Sequence, residues 1–159
     1  MAQTISDIKS AYPLPAYNYR VTVLSGGDSP VVSFAEISGL QLNYEPVTYK
    51  HGLSFLMGAK IIPGMKQPIK LTLKRGVVKS RDFLHSWLHK TYTEPFYTAK
   101  KRDIVIDLCD ENGDSVVRWT VQGAMPTQLD APAFNADGNE VAIESMELVA
   151  HGLKVDYDP

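Results

Sequence analysis

Strict alternation of apolar and polar side chains begins at Tyr17: Tyr17, Tyr19, Val21 and Val23 share one face, Asn18, Arg20 and Thr22 the other. A period of two marks a half-buried strand, and Ser25-Gly26-Gly27-Asp28 reads as the turn that ends it. Val31 to Ile37 predicts a second strand, stopped at Ser38-Gly39. Further along, Ile69, Leu71 and Leu73 point inward and Lys70, Thr72 and Lys74 outward, up to Arg75-Gly76. Ile104, Ile106 and Leu108 alternate with Val105 and Asp107, and Val117, Trp119 and Val121 return beyond Glu111-Asn112-Gly113-Asp114. Asn-Gly between two alternating runs is a strong short-range hairpin signal. A last long strand is expected from Glu140 to Ala150, fed by the turn Asp137-Gly138-Asn139.

The period changes to that of a helix once. Ser80 is a fitting N-cap with Asp82 in the first turn, and Phe83, Leu84, Trp87 and Leu88 then form one apolar stripe. Phe83 and Trp87 are its expected core contacts, and Glu94-Pro95 ends it. Six to eight strands around one helix at residues 80–92, joined by short turns, predict a mainly β fold. The expected architecture is an antiparallel β-sandwich or small barrel with a flanking α-helix. The chain reads as a single domain over residues 1–159, with an extended, proline-punctuated lead at residues 1–16.

One stretch breaks the amphipathic rule. From Leu42 to Ile62 the chain reads as a long hairpin or extended arm, with Val47-Thr48-Tyr49 and Phe55 to Ile62 extended and Pro63-Gly64 closing it. Its distal part, Leu53-Ser54-Phe55-Leu56-Met57-Gly58-Ala59-Lys60-Ile61-Ile62, is apolar on both faces. Such a segment needs cover from two sides. Either the sandwich supplies that cover, or a neighbouring chain does and the isolated subunit exposes an apolar patch.

Composition narrows the function. Formal net charge is −2 with both signs interspersed, so the footprint of a nucleic-acid binder is missing and no nucleic-acid specificity is expected. One cysteine, Cys109, rules out an intrachain disulfide. The N-terminus lacks a basic region followed by an apolar run, and no stretch of about 18 apolar residues occurs, so neither a signal peptide nor a membrane span is expected. Synthesis in the cytoplasm follows as the expectation.

Candidate chemistry is thin. His85 and His89 have the spacing for one zinc, but position 86 is Ser where a metalloprotease needs Glu. Asp110, Asn112 and Asp114 resemble a calcium loop, yet Gly falls at its fourth position and Val121 at its twelfth. No G-x-S-x-G occurs, Cys109 lies in an alternating strand, and Ser25-Gly26-Gly27 lacks a Walker lysine. Asp103, Asp107, Glu144 and Glu147 are scattered, with nothing marking a catalytic pair. The residues make no case for an enzyme, a cofactor or a metal.

The order of features resembles the tail tube family shared by contractile phages and extracellular contractile injection systems, related in fold to the type VI secretion tube protein. The residues that carry it are Tyr12-Pro13-Leu14-Pro15-Ala16-Tyr17, Phe34-Ala35-Glu36-Ile37-Ser38-Gly39-Leu40, and Glu45-Pro46-Val47-Thr48-Tyr49-Lys50-His51-Gly52. Ile62-Pro63-Gly64, Leu73-Lys74-Arg75-Gly76 and the helix with Asp82 and Trp87 follow in order. The segments from Tyr97 to Arg102 and from Met125 to Asn139 carry no matching motif.

The resemblance implies a non-enzymatic, virion-type structural subunit. Six copies would close into a ring whose inner β-barrel lines a bore that holds or conducts cargo. Rings would stack inside a sheath protein, between baseplate or first-ring subunits and a terminator, as part of an assembled phage tail or tail-like particle. The arm at residues 42–64 would reach over a neighbour, with Tyr49, Leu53, Phe55, Leu56, Met57, Ile61 and Ile62 as inter-subunit contacts. Gly39, Gly52, Gly64 and Gly76 would be structural turns or points of close backbone approach. Two alternatives stand beside the repeating subunit. One is a first-ring subunit joining tube to baseplate. The other is a small ligand-binding β-barrel with Tyr17, Tyr19 and Trp119 lining a pocket.

Overall fold

The alternating runs become the strands of two packed sheets, and they do so because each presents one apolar face to a shared core. The computed structural model describes residues 4–24, 31–79, 82–94 and 101–159. Among them are β1 (Tyr19–Leu24), β2 (Val31–Val32), β3 (Glu36–Ser38), β4 (Val47–Tyr49), β5 (Lys60–Ile62), β6 (Ile69–Gly76), β7 (Arg102–Cys109), β8 (Ser115–Asp130), β9 (Ile143–Ala150) and β10 (Gly152–Tyr157). The helices are α1 (Ile5–Ala11), α2 (Ser54–Met57) and α3 (Phe83–Thr93). All described strand pairs are antiparallel.

The strand order β2-β1-β7-β8-β9-β6-β3, with β10 also on β8, runs through one long strand that serves both sheets. The first half of β8 pairs with β7 and β10, the second half with β9. Gly123 sits at the bend with φ 65°, and a Cβ there would fall 2.2 Å from His151 Nδ1, so the corner needs glycine. Opposite it, His151 separates β9 from β10, so the partner ribbon bends at the same place.

Between the sheets lie Val21, Val23, Ile104, Ile106 and Val121 on one side and Ile69, Leu71, Leu73, Met146, Leu148 and Ala150 on the other. Burying each large aliphatic side chain contributes roughly 1.5–3 kcal/mol. Leu84 and Trp87 of α3 complete this core, with Phe83 and Leu88 packed at its margin. The Arg102 guanidinium lies 5.3 Å from the Phe83 ring centre and 5.2 Å from that of Trp87, tying the start of β7 to α3. Tyr92 Oη donates to the Pro126 carbonyl (2.7 Å), fixing the far end of the helix to β8.

Several expectations need correction. The lead is not wholly extended: Thr4 and Asp7 cap α1 reciprocally, Asp7 N–H donating to Thr4 Oγ1 (3.2 Å) and Thr4 N–H to Asp7 Oδ2 (3.0 Å). Tyr17 lies before β1 and is 84% exposed, so its apparent place in the alternation is accidental. The run from Val31 to Ile37 splits into β2 and β3, which pair with different strands because Phe34 turns into the core between them. α3 begins after Asp82, while Ser80, Pro95 and the turn from Ser25 to Asp28 lie outside the described residues. β8 continues through Gly123 and Pro126 to Asp130, into the segment from Met125 that carries no matching motif, and β10 is an additional strand. From Phe55 to Ile62 the chain is not continuously extended: Ser54–Met57 form the helical turn α2, and only Lys60–Ile62 are strand.

Candidate assembly surfaces

The arm is a continuation of the β3–β6 ladder beyond the body. Glu36 pairs with Lys74 and Ser38 with Thr72, then Tyr44 with Lys66, and finally Val47 with Ile62 and Tyr49 with Lys60. Backbone bonds from Gln67 to Asn43 (2.8 Å) and from Glu45 to Met65 (3.0 Å) close the gap between these pairs. Gln67 Nε2 donates to Glu45 Oε2 (2.9 Å) across the base. At about 3.3 Å per residue, the stretch 42–49 carries the tip roughly 25 Å from the body.

The tip has its own local order. Ser54 Oγ accepts from the His51 N–H (2.6 Å), His51 Nδ1 accepts from the Leu53 N–H (3.2 Å), and α2 ends at Gly58, whose φ is 77°. No apolar side chain of the arm finds cover within the chain. Tyr49, Leu53, Phe55, Leu56, Met57, Ile61 and Ile62 are all exposed, Phe55 at 82% and Ile61 at 74%. Leu42, Tyr44, Val47 and Met65 extend the same patch and were not singled out from the sequence. Their signal was available for three of them, since Leu42, Tyr44 and Val47 lie within the stretch from Leu42 to Ile62, while Met65 lies just beyond its closing Pro63-Gly64.

The expected turn glycines divide. Gly39 has φ 94° and its absent Cβ would lie 2.1 Å from the Lys70 carbonyl oxygen; at Gly64 the corresponding approach is 1.7 Å, to the Glu45 carbonyl oxygen. Gly52 has open space, and Gly76 is the last residue of β6 with only Val141 nearby at 3.8 Å; neither has a left-handed φ. The expectation for these two is corrected: their conformation does not demand glycine.

A second surface is the outer face of the β1-β7-β8-β10 sheet. Register sets Arg20, Asp107, Arg118 and Asp156 side by side across it. Asp107 is 3% exposed, accepting from Arg118 Nε (2.7 Å) and Ser115 Oγ (2.8 Å), with Arg20 at 3.6 Å. Burial pushes its carboxyl up, but the hydrogen bonds from Arg118 and Ser115 and the two nearby cations outweigh this and hold it below the ordinary carboxylate range. Glu144 is likewise taken by an arginine, Arg75 (3.5 Å). β10, beside this row, pairs only with β8 among the described residues, leaving its other edge open.

Nothing catalytic is assembled by the sequence candidates. The His85 and His89 rings stack 6.1 Å apart on the exposed side of α3, and among the described residues no three metal-ligating side chains converge. Asp110 Oδ1 accepts from the N–H groups of Asn112 and Asp114 (both 2.9 Å), using the carboxylate to shape the hairpin turn. Cys109 is buried and donates weakly to the Asp107 carbonyl (3.7 Å). No helix among the described residues is long and apolar enough to cross a membrane.

A packed body with an open sheet edge and a protruding apolar arm defines a structural subunit that completes itself in an assembly. The chain belongs to the T4-like virus tail tube protein gp19 family, whose model matches residues 15–154. Its fold is similar to a chain of the sheath-tube complex of PVC, an extracellular contractile injection system, in the extended state: 28% identity, TM-score 0.83, over 98% of this chain and 99% of that one. A chain in the anti-feeding prophage cap, a tube-terminating cap, is 31% identical with TM-score 0.79 over 99% of both chains. A chain in the PVC sheath/tube terminator is 29% identical with TM-score 0.79, covering 91% of this chain and 97% of that one. Among curated proteins no match is found. The protein is a structural inner-tube subunit of the contractile injection system type.

Proposed function

We propose that this chain is the repeating subunit of the tube, with six copies closing into a ring and rings stacking coaxially. The observation that carries the reading is the arm, whose apolar side chains are exposed on both faces in the isolated chain. A long apolar hairpin of this kind is a liability in a monomer and an asset in a polymer. The open edge of β10 supports ring closure by strand addition, since closure removes sheet edges. A sheath protein surrounds the stacked rings, baseplate or first-ring subunits and a terminator bound them, and the bore holds cargo. The subunit contributes rigidity and shape, and no bond is made or broken.

Purified protein examined by sedimentation velocity and negative-stain electron microscopy tests this. Six-fold rings that stack into tubes with an open bore are expected. Single rings that never stack would favour a first-ring subunit, and a monomer at every concentration would overturn the reading.

A further inference from the structure

The outward face of α3 carries two imidazoles that the tube reading does not use. His85 and His89 stand four residues apart on this helix, the spacing that puts two side chains on one face. Both are exposed, and their rings lie nearly parallel (9°) with centres 6.1 Å apart. The inward face of the helix is anchored. Leu84, Trp87 and Thr91 are buried, Thr91 Oγ1 donates to the Trp87 carbonyl (2.8 Å), and Tyr92 Oη donates to the Pro126 carbonyl (2.7 Å). The backbone that presents the two rings is held by the core, so little order has to be gained when a ligand bridges them.

The rings form one side of an open groove of about 440 Å3, completed by Leu88, Tyr92, Thr93 and Thr127. Thr93 Oγ1 donates to the His89 carbonyl (2.7 Å) and Thr127 Oγ1 to the Glu147 carbonyl (3.2 Å). Each hydroxyl has committed its proton to the backbone and keeps lone pairs with which to accept. Two nitrogen donors on a fixed helix thus face a groove whose walls offer hydrogen-bond acceptors.

We propose that His85 and His89 chelate one divalent transition metal of the zinc class, with water filling the rest of its shell. Imidazole suits zinc, copper and nickel, whereas calcium and magnesium take oxygen ligands. Two imidazole nitrogens at about 2.0–2.1 Å from a tetrahedral metal set the ring centres roughly 5 Å apart. The pair has to close by about 1 Å and turn its rings edge-on. Exposed imidazoles can do this because the terminal His torsion is broad. The metal-bound waters then donate to Thr93 and Thr127, an outer-shell role that orients such ligands.

Ser86 removes the metalloprotease reading but not chelation, because the Glu of that motif is a general base and not a ligand. Among the described residues no third metal-ligating side chain joins the pair. The site is therefore not the closed four-ligand kind that holds a fold together, and its remaining positions stay exchangeable.

Calorimetric titration of the EDTA-treated, dialysed protein with zinc chloride tests the site. One zinc per subunit is expected. His85→Gln and His89→Gln, which keep these exposed positions polar, should each weaken binding at least about tenfold, the minimum for losing even an outer-shell partner. His51→Gln and His151→Gln remove the other two imidazoles of the chain and should leave the titration unchanged. As a second readout, untagged protein should be retained on immobilised nickel and the His85→Gln/His89→Gln double variant should run through, with circular dichroism showing that it is folded. No saturable zinc binding by the parent overturns the site. So does binding that survives the double variant, or that is lost with His51 or His151 instead. Rings and tubes are read separately, so each of these results leaves the tube reading untouched.

Discussion

The body and the arm are equally rich in apolar side chains, and they do opposite things with them. In β6, Ile69, Leu71 and Leu73 are at most 2% exposed, while Lys70, Thr72 and Lys74 take the other face. In β5, Ile61 and Ile62 point to opposite faces and both remain exposed. Alternation lets one sheet face find cover inside the chain, whereas a two-sided apolar strand on a single hairpin has no inner side. The difference separates two stabilities: the body folds on its own core, and the arm keeps its backbone ladder while its apolar side chains find no cover within the chain.

Substitutions in the body should lower stability first and assembly only as a consequence. The largest effect is expected at Trp87, where truncation to Ala removes the largest fully buried side chain of α3 from the core. It should cost about 3–5 kcal/mol, lowering the melting temperature by roughly 6–20 °C, and an unchanged melt would contradict its place in the core. Asp107→Ala comes next, at about 2 kcal/mol from the lost charged hydrogen bonds. Because the folded carboxyl is held below its unfolded value, this contribution is present above about pH 4 and is lost as pH falls through the folded value. Melts of both proteins should therefore converge in acid; a constant gap from pH 7 to pH 2 would refute the assignment. Gly123→Ala should cost about 1–2 kcal/mol through its left-handed φ, read by denaturant titration.

Arm substitutions should reverse the order of effects. Phe55→Asp or Ile61→Asp should shift the folding free energy by no more than about 0.5 kcal/mol and abolish stacking. Circular dichroism melts and sedimentation on the same samples distinguish the two readouts. Loss of fold would join the arm to the body, and unimpaired assembly would remove its role in contact.

Most of the body was legible because alternation alone orients a strand: β1, β6, β7 and the first half of β8 follow from it, as does α3 from its stripe. The second half of β8 was not, because Gly123 and Pro126 interrupt the alternation beyond Val121. Here Gly123 turns the corner between sheets, and the ladder shifts register between Pro126 and Gln128. α1 was missed although Thr4-Ile5-Ser6-Asp7 is a capping pattern. At the assembly surfaces, the two-sided apolar character of the arm was plain, but α2 was hidden because a four-residue apolar turn has too few residues for a period.

Amide hydrogen exchange across residues 42–65, compared between unassembled and assembled protein, tests the division between body and arm most directly. Fast exchange in the free subunit is expected there, slowed at least about tenfold on assembly, while the β6–β9 ladder stays protected in both states. An arm already protected in the free subunit, or one that exchanges equally fast in the assembly, would contradict the account.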